Sequence, residues 1–423
     1  MNPRTLLIDS FHAAVAAADP LKILATHLPP PPKGRTLVVG AGKAAASMAR
    51  AVELAWPTTA PIEGLVVTRY AHGLETSHIK VIEAGHPVPD SAGELAAAEI
   101  LKRVGELGPD DLLIALVSGG GSSLLSLPVE SVSMADLKKV TSSLLHSGAP
   151  ITEMNIVRKH LSRIQGGRLA AACKAPILTL IISDVTGDDP SAIASGPTCP
   201  DPSTYQDALD VLARFKVDAP QSVLAHLQAG NAGLIEETPK PGDASVAHAE
   251  NKVIATAHHC LKVAADFFNA AAITPVVLGD TVTGEASEVA KVYAALAREI
   301  RTHNQPFKPP VALISGGECT VTVRGNGRGG RCAEFLTSLA VELEGLPNIY
   351  ALAADTDGID GTEDNAGALL FPDSASRATK LGLSAKTFLA NNDGYSYFQA
   401  LDDLLVTGPT RTNVNDYRVI LVL

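Results

Sequence analysis

Asp111–Leu125 reads DLLIALVSGGGSSLL. Leu112–Val117 is apolar at every position, as in a strand covered on both faces. It stops abruptly at Ser118-Gly119-Gly120-Gly121-Ser122-Ser123. Three glycines remove the side chains there, so backbone N–H groups are open to a close ligand, and three serines add hydroxyls. A buried strand that ends in such a turn is the usual anion site of an open parallel sheet. The stretch therefore predicts an α/β fold with its chemistry at the carboxyl ends of the strands.

The same pattern recurs on both sides. Ile314-Ser315-Gly316-Gly317-Glu318 repeats strand-then-glycines two hundred residues later. Upstream, the strand Thr36–Val39 runs into Gly40-Ala41-Gly42-Lys43 and an alanine-rich helix, Ala44–Leu54. That unit matches the G-x-G-x-x-A dinucleotide fingerprint, which calls for an acidic residue after the second strand. The second strand here, Gly64–Thr68, ends in Thr68-Arg69 with no carboxylate. Lys43 instead places a cation at a helix start, an arrangement favoured when an anion compensates it.

Acidic clusters follow two other strands. Pro176–Ser183 leads into Asp184-Val185-Thr186-Gly187-Asp188-Asp189, and Tyr350–Ala353 into Asp355-Thr356-Asp357-Gly358-Ile359-Asp360. Carboxylates gathered at a strand end suit Mg²⁺, which takes one or two of them and completes its shell with water and substrate phosphate. Asp184, Asp189, Asp355 and Asp357 are the candidate ligands. The segment Met154–Arg163 carries Asn155, Lys159 and Arg163 in helical spacing, as a charged face or an anion funnel. Gly325–Gly330 is a glycine-rich loop that leads to Arg331 and a helix.

Length and composition bound the rest. With 423 residues, the chain is long enough for two or three domains. A net charge of −11 argues against a basic nucleic-acid surface. The five cysteines form no C-x-x-C pair, which points to a reducing cytoplasm and away from zinc. No apolar run is long enough for a membrane span, and MNPRTLLIDSFHAAVAAADP reads as an amphipathic helix rather than a leader. Glu236–Ala247, rich in proline and glycine, is the linker candidate. It gives domains 1–239 and 240–423. Beyond it, strand Lys252–Thr256 opens a second βαβα alternation, which predicts a second, largely parallel sheet. Two such domains imply a cleft. Cations, Mg²⁺-type carboxylates and backbone nests are the parts phosphoryl transfer needs. No Walker A motif and no protein-kinase H-R-D or D-F-G is present.

The chain resembles the class II glycerate kinases, the MOFRL family, some members of which carry the label hydroxypyruvate reductase. The resemblance spans nearly all of it, through VVGAGKAAASMA, GHPVPD, VSGGGSSLL, MNIVRKHLSRIQGGRLA, ISDVTGDDPSAIASGPT, ISGGECTVTVRGNGRGGR, DTDGIDG, FLANNDGYSYF and VTGPTRTNVND. It implies a Rossmann-like N-terminal domain, a smaller C-terminal MOFRL domain, and an active site in the cleft between them. It implies a cytoplasmic enzyme that phosphorylates D-glycerate to 2-phosphoglycerate with ATP and Mg²⁺, with no nucleic-acid or membrane partner and a homodimer left open. Lys43 and Arg331 fall on the family's catalytic positions. Gly40, Gly42, Ser118, Gly119, Gly120, Gly121, Ser122, Ser123, Gly316, Gly317 and Glu318 are assigned to the nucleotide. Asn155, Lys159 and Arg163 are assigned to the substrate. Cys332-Ala333 and Arg411 depart from the family pattern, which bears on substrate preference. The competing expectation is a hydroxypyruvate reductase using NAD(P)H.

Overall fold

The computed structural model describes residues 2–423, which form two compact units. One is Pro20–Ile254; the other joins the N-terminal stretch through Asp19 to Ala255–Leu423.

The first unit is built on a sheet of β1 (Thr36–Ala41), β2 (Ile62–Arg69), β3 (Ile79–Ala84), β4 (Leu112–Val117), β5 (Ile177–Ile182) and β6 (Ala249–Ala255). Its order is β3-β2-β1-β4-β5-β6, and the first five strands pair in parallel. Strands β1, β4 and β5 are buried at every residue, as their unbroken apolar runs require. Helix Ser91–Gly105 packs Ala96, Ala97, Ile100 and Val104 into the core with Leu37, Leu65 and Leu113. The order reverses at β1 and β4, the topological switch point at which ligands bind in such sheets. A separate helical core gathers Leu144, Val157, Leu161, Tyr205, Leu212 and Leu227.

The second unit holds β7 (Thr274–Gly279), β8 (Val311–Ser315), β9 (Ile349–Asp355), β10 (Gly367–Leu370), β11 (Leu404–Leu405) and β12 (Asp416–Val422), in the order β11-β10-β9-β12-β8-β7. Only β7 and β8 pair in parallel. The expectation of a largely parallel sheet is corrected here. The closing strand β12, buried throughout, enters between β8 and β9 and runs antiparallel to both. Helix Arg331–Leu343 supplies Phe335, Leu336 and Leu339 to this core.

Two boundary readings also change. The strand expected at Lys252–Thr256 is β6, at the edge of the first sheet, where Asn251 bonds Thr198. The Glu236–Ala247 stretch is fastened rather than loose. Glu237 accepts from the Tyr205 N–H at 2.8 Å and from Lys240 at 2.6 Å, and the Pro239 carbonyl accepts from the Asp201 N–H at 2.8 Å. The units therefore divide between Ile254 and Ala255, not at 239/240. The first helix, Pro3–Ala16, belongs to the C-terminal unit: Phe11 packs on Tyr417, and the Tyr417 hydroxyl donates to Ser10 Oγ at 2.9 Å. All five cysteines are free and buried. Among the described residues, no helix is long and apolar enough to cross a membrane.

Candidate functional site

In the first unit the two glycine turns are locked to each other. The Lys43 N–H donates to the Gly119 carbonyl at 2.8 Å, the Ala44 N–H to Ser118 Oγ at 3.0 Å, and the Ser118 N–H to the Ala41 carbonyl at 3.2 Å. Gly42 has φ +139, and a Cβ there would lie 2.1 Å from Ser118 Oγ, so no side chain fits where the turns meet. Gly120 has φ +79; a Cβ on it would come 2.9 Å from His86 Nε2 and 3.5 Å from Lys43 Cγ. Lys43, the SGGGSS turn and His86 thus share one spot at the switch point. Among the described residues the Gly119 and Gly120 N–H groups donate to no protein acceptor. They suit phosphate oxygens.

His86 makes no hydrogen bond within the described residues. Burial, then Lys43, Arg69 and His72, pushes its pKa down to about 4. A neutral imidazole among cations is a group that gains a proton when an anion arrives nearby.

The Met154–Arg163 segment divides by environment. Lys159 is buried and donates to buried Asp201 at 3.4 Å, and Arg163 meets Glu130 at 3.6 Å on the exposed side. These two expected substrate cations are held by carboxylates of the fold. Asn155 Oδ1 accepts from Ser195 Oγ at 3.3 Å and from Arg158 at 3.3 Å, and Ser195 Oγ lies 2.9 Å from Ser122 Oγ. Asn155, expected at the substrate, connects to the glycine turn through Ser195, and Arg158, which the sequence-derived site did not include, connects with it.

Asp189, exposed, accepts from the N–H and hydroxyl of Ser191 at 2.9 and 3.0 Å. Asp184 stands two residues beyond the end of β5. Among the described residues no three His, Cys, Asp or Glu side chains gather as a metal cage. The strand-end carboxylates offer the one or two ligands that Mg²⁺ takes from protein.

In the second unit Arg331 opens its helix and is gripped by carboxylates. Its Nε donates to Asp416 at 2.8 Å, one terminal nitrogen donates to Asp355 at 2.7 Å, and the other lies 3.5 Å from exposed Glu318. Burial opposes the charge, but Asp416 and Asp355 outweigh it and raise the Arg331 pKa further. Asp416 is shared with buried Arg418, which also donates to the Gly316 and Gly317 carbonyls. Those glycines, expected at a nucleotide, serve here as acceptors for a buried arginine. Asp355 also accepts from the Asp357 N–H, and Asp357 from the Ile359 N–H, so both expected metal ligands brace their own loop. Buried Asp360 accepts from the N–H groups of Cys332 and Ala333, which caps the helix with a carboxylate. Gly325 and Gly327 lie flat against Asn391, where a Cβ would stand 2.3 and 2.5 Å from its carbonyl oxygen. Backbone packing accounts for both glycines.

His86, Arg158, Ser195 and Asp416 were missing from the sequence-derived site. Asp416 and Arg418 had a legible signal: two residues apart on a strand, they share a face. Arg158 had one too, standing three residues after Asn155 on the same helix; His86 and Ser195 had none, because their neighbours come from distant segments.

Comparison with known proteins adds to this geometry. Residues 6–228 match a domain of unknown function (DUF4147), and residues 311–416 match the MOFRL family. A protein of Agrobacterium vitis named putative hydroxypyruvate reductase is 49% identical over 425 residues, covering 100% of this chain and 95% of that one. The D-glycerate 2-kinase of Thermotoga maritima is 37% identical, covering 99% and 98%. A crystal structure of glycerate kinase from Thermotoga maritima superposes with a TM-score of 0.87 at 36% identity, covering 99% of both chains.

Proposed function

The chain belongs to the glycerate 2-kinase family that carries the MOFRL domain, and from that premise we propose that it transfers the γ-phosphoryl group of ATP to the 2-hydroxyl of D-glycerate, with Mg²⁺. The observation that carries this reading is the interlocked pair of glycine turns at the β1/β4 switch point. They present the Gly119 and Gly120 N–H groups beside Lys43. Such a nest grips phosphate oxygens and positions them with little reorganisation.

In the reaction, the 2-hydroxyl oxygen bonds to the γ-phosphorus, the bond to the ADP oxygen breaks, and the hydroxyl proton is released. Lys43 offsets the charge that spreads over the equatorial oxygens, and the backbone nest fixes the phosphates. The family resemblance also assigns a role to Arg331, whose guanidinium is held by Asp355 and Asp416 and whose remaining terminal nitrogen approaches, among the described residues, only Glu318. Asp184 and Asp189 would hold Mg²⁺, which supplies charge neutralisation on the phosphates.

Two relatives from Agrobacterium vitis bear the name putative hydroxypyruvate reductase. Against that reading, β2 ends in Thr68-Arg69 without the carboxylate that a ribose diol would need. Purified protein given D-glycerate, ATP and Mg²⁺ should release ADP and form 2-phosphoglycerate, identified by phosphorus NMR. Lys43→Ala should cost ~10³-fold or more in kcat/KM. Asp184→Asn or Asp189→Asn should raise the Mg²⁺ requirement. Oxidation of NADH or NADPH by hydroxypyruvate, with no ADP release from D-glycerate, would overturn the proposal.

A further inference from the structure

Most cations between Ile151 and Arg168 have a partner that accounts for them. Lys159 has Asp201, His160 has Glu237, Arg163 has Glu130, and Arg168 donates to the Tyr205 hydroxyl and the Lys159 carbonyl. Arg158 is different. Its one hydrogen bond goes to the neutral Asn155 Oδ1, at 3.3 Å, and among the described residues no carboxylate lies within ion-pair distance. Its side chain is partly buried, and burial alone lowers its pKa. A guanidinium carries five N–H donors in a planar fork. Removing that charge from water without a counter-ion is costly, and an anionic ligand would supply the counter-ion.

The surroundings connect Arg158 to the glycine turn. Asn155 Oδ1 joins Arg158 to Ser195 Oγ, and Ser195 Oγ lies 2.9 Å from Ser122 Oγ. Ser122 belongs to the glycine turn of the phosphate nest. Ala194 and Ser195 have φ +51 and +59, backbone strain that non-glycine residues hold mostly where function requires it. Three hydrogen bonds thus run from the nest to an unpaired guanidinium.

We infer that Arg158 binds the carboxylate of the 2-hydroxy-acid substrate, with Asn155 and Ser195 fixing its orientation beside Ser122. The inference rests on the D-glycerate kinase reading. It makes Arg158 the residue that selects an acid over a neutral polyol. Carboxylate and reacting hydroxyl are on adjacent carbons, so an arginine one short network away from the phosphate nest has the reach the substrate needs. A planar fork also matches a carboxylate in a bidentate manner.

The test compares the full-length protein with Arg158→Gln and Arg158→Lys. Substrates are D-glycerate and glyceramide, in which a neutral amide replaces the carboxylate. Wild type should strongly prefer D-glycerate. Arg158→Gln should raise the KM for D-glycerate ~10²-fold, leave the KM for ATP within about twofold, and nearly abolish the preference over glyceramide. Arg158→Lys should recover part of both, which also shows that loss of fold is not the cause. Calorimetric titration of D-glycerate without nucleotide reads the same contact independently of turnover. Loss of affinity there in Arg158→Gln supports the inference even if wild type has no kinase activity, a result that would fail the functional reading alone. A raised KM for ATP with unchanged D-glycerate affinity would make Arg158 a nucleotide-phosphate contact and overturn the inference. Unchanged affinities with the acid preference intact would overturn it too.

Discussion

Arg331 donates its Nε–H to Asp416 across 2.8 Å, and the second oxygen of that buried carboxylate is held by Arg418. With Asp355 on its other side, Arg331 is a structural ion as well as a candidate catalytic one. A polar loop alone would predict a fold indifferent to its loss; the buried carboxylates predict otherwise.

Arg331→Ala should therefore lose both activity and stability. Removing one partner of a buried pair costs about 3–5 kcal/mol, because the remaining charges stay desolvated. Arg331→Lys should regain part of that stability and little of the turnover, since a point charge cannot span Asp355 and Asp416. Chemical denaturation beside kcat/KM separates the two. An alanine variant with the denaturation midpoint of wild type would refute the structural role.

Gly120→Ala tests the glycine turn. At φ +79 a Cβ meets the His86 ring and the Lys43 side chain. Strain should cost about 1–2 kcal/mol. The KM for ATP should rise far more than the stability loss explains. An ATP KM equal to that of wild type would move the phosphates away from this turn.

Lys159→Met tests a buried pair outside the chemistry. Asp201 would be left charged and buried, for a loss of about 3–5 kcal/mol. The double variant Lys159→Met with Asp201→Leu should recover most of it. KM values of the folded variants should stay near wild type. A selective rise in the KM for D-glycerate would return Lys159 to the substrate site.

Glu334 should tilt stability with pH. Burial pushes its pKa from 4.5 to about 7, against a hydrogen bond from Asn392 that lowers it. The folded state then holds a proton that the unfolded chain releases, so stability falls as pH rises from about 4.5 to about 7. The full span is up to about 3 kcal/mol. Glu334→Gln should make the thermal midpoint fall less steeply over that window, the remaining slope belonging to other buried carboxyls such as Asp360, whose pKa burial also pushes up to about 7. A slope equal to that of wild type would show that Glu334 is ionised in the fold throughout.

The strand from Leu112 to Val117, its glycine turn and the Gly40–Lys43 turn were legible because each is a local pattern. An apolar run needs two covered faces, and three glycines in a row need a backbone that no side chain blocks. Those constraints act over a dozen residues, and family resemblance covered nearly the whole chain for the same reason. The direction of β12 was not legible. The five-residue apolar run Val419–Leu423 fits an edge or a centre, parallel or antiparallel, and only pairing with β8 and β9 chose. Burial and partnership of charge lay equally beyond local pattern. Arg158, Lys159 and Arg163 stand within six residues of one another, yet among the described residues one meets no carboxylate, one is buried on Asp201 and one meets Glu130 near solvent. Whether a cation is a structural ion or an open binding group depends on which distant carboxylates the fold brings to it, and that is settled only when the chain has packed.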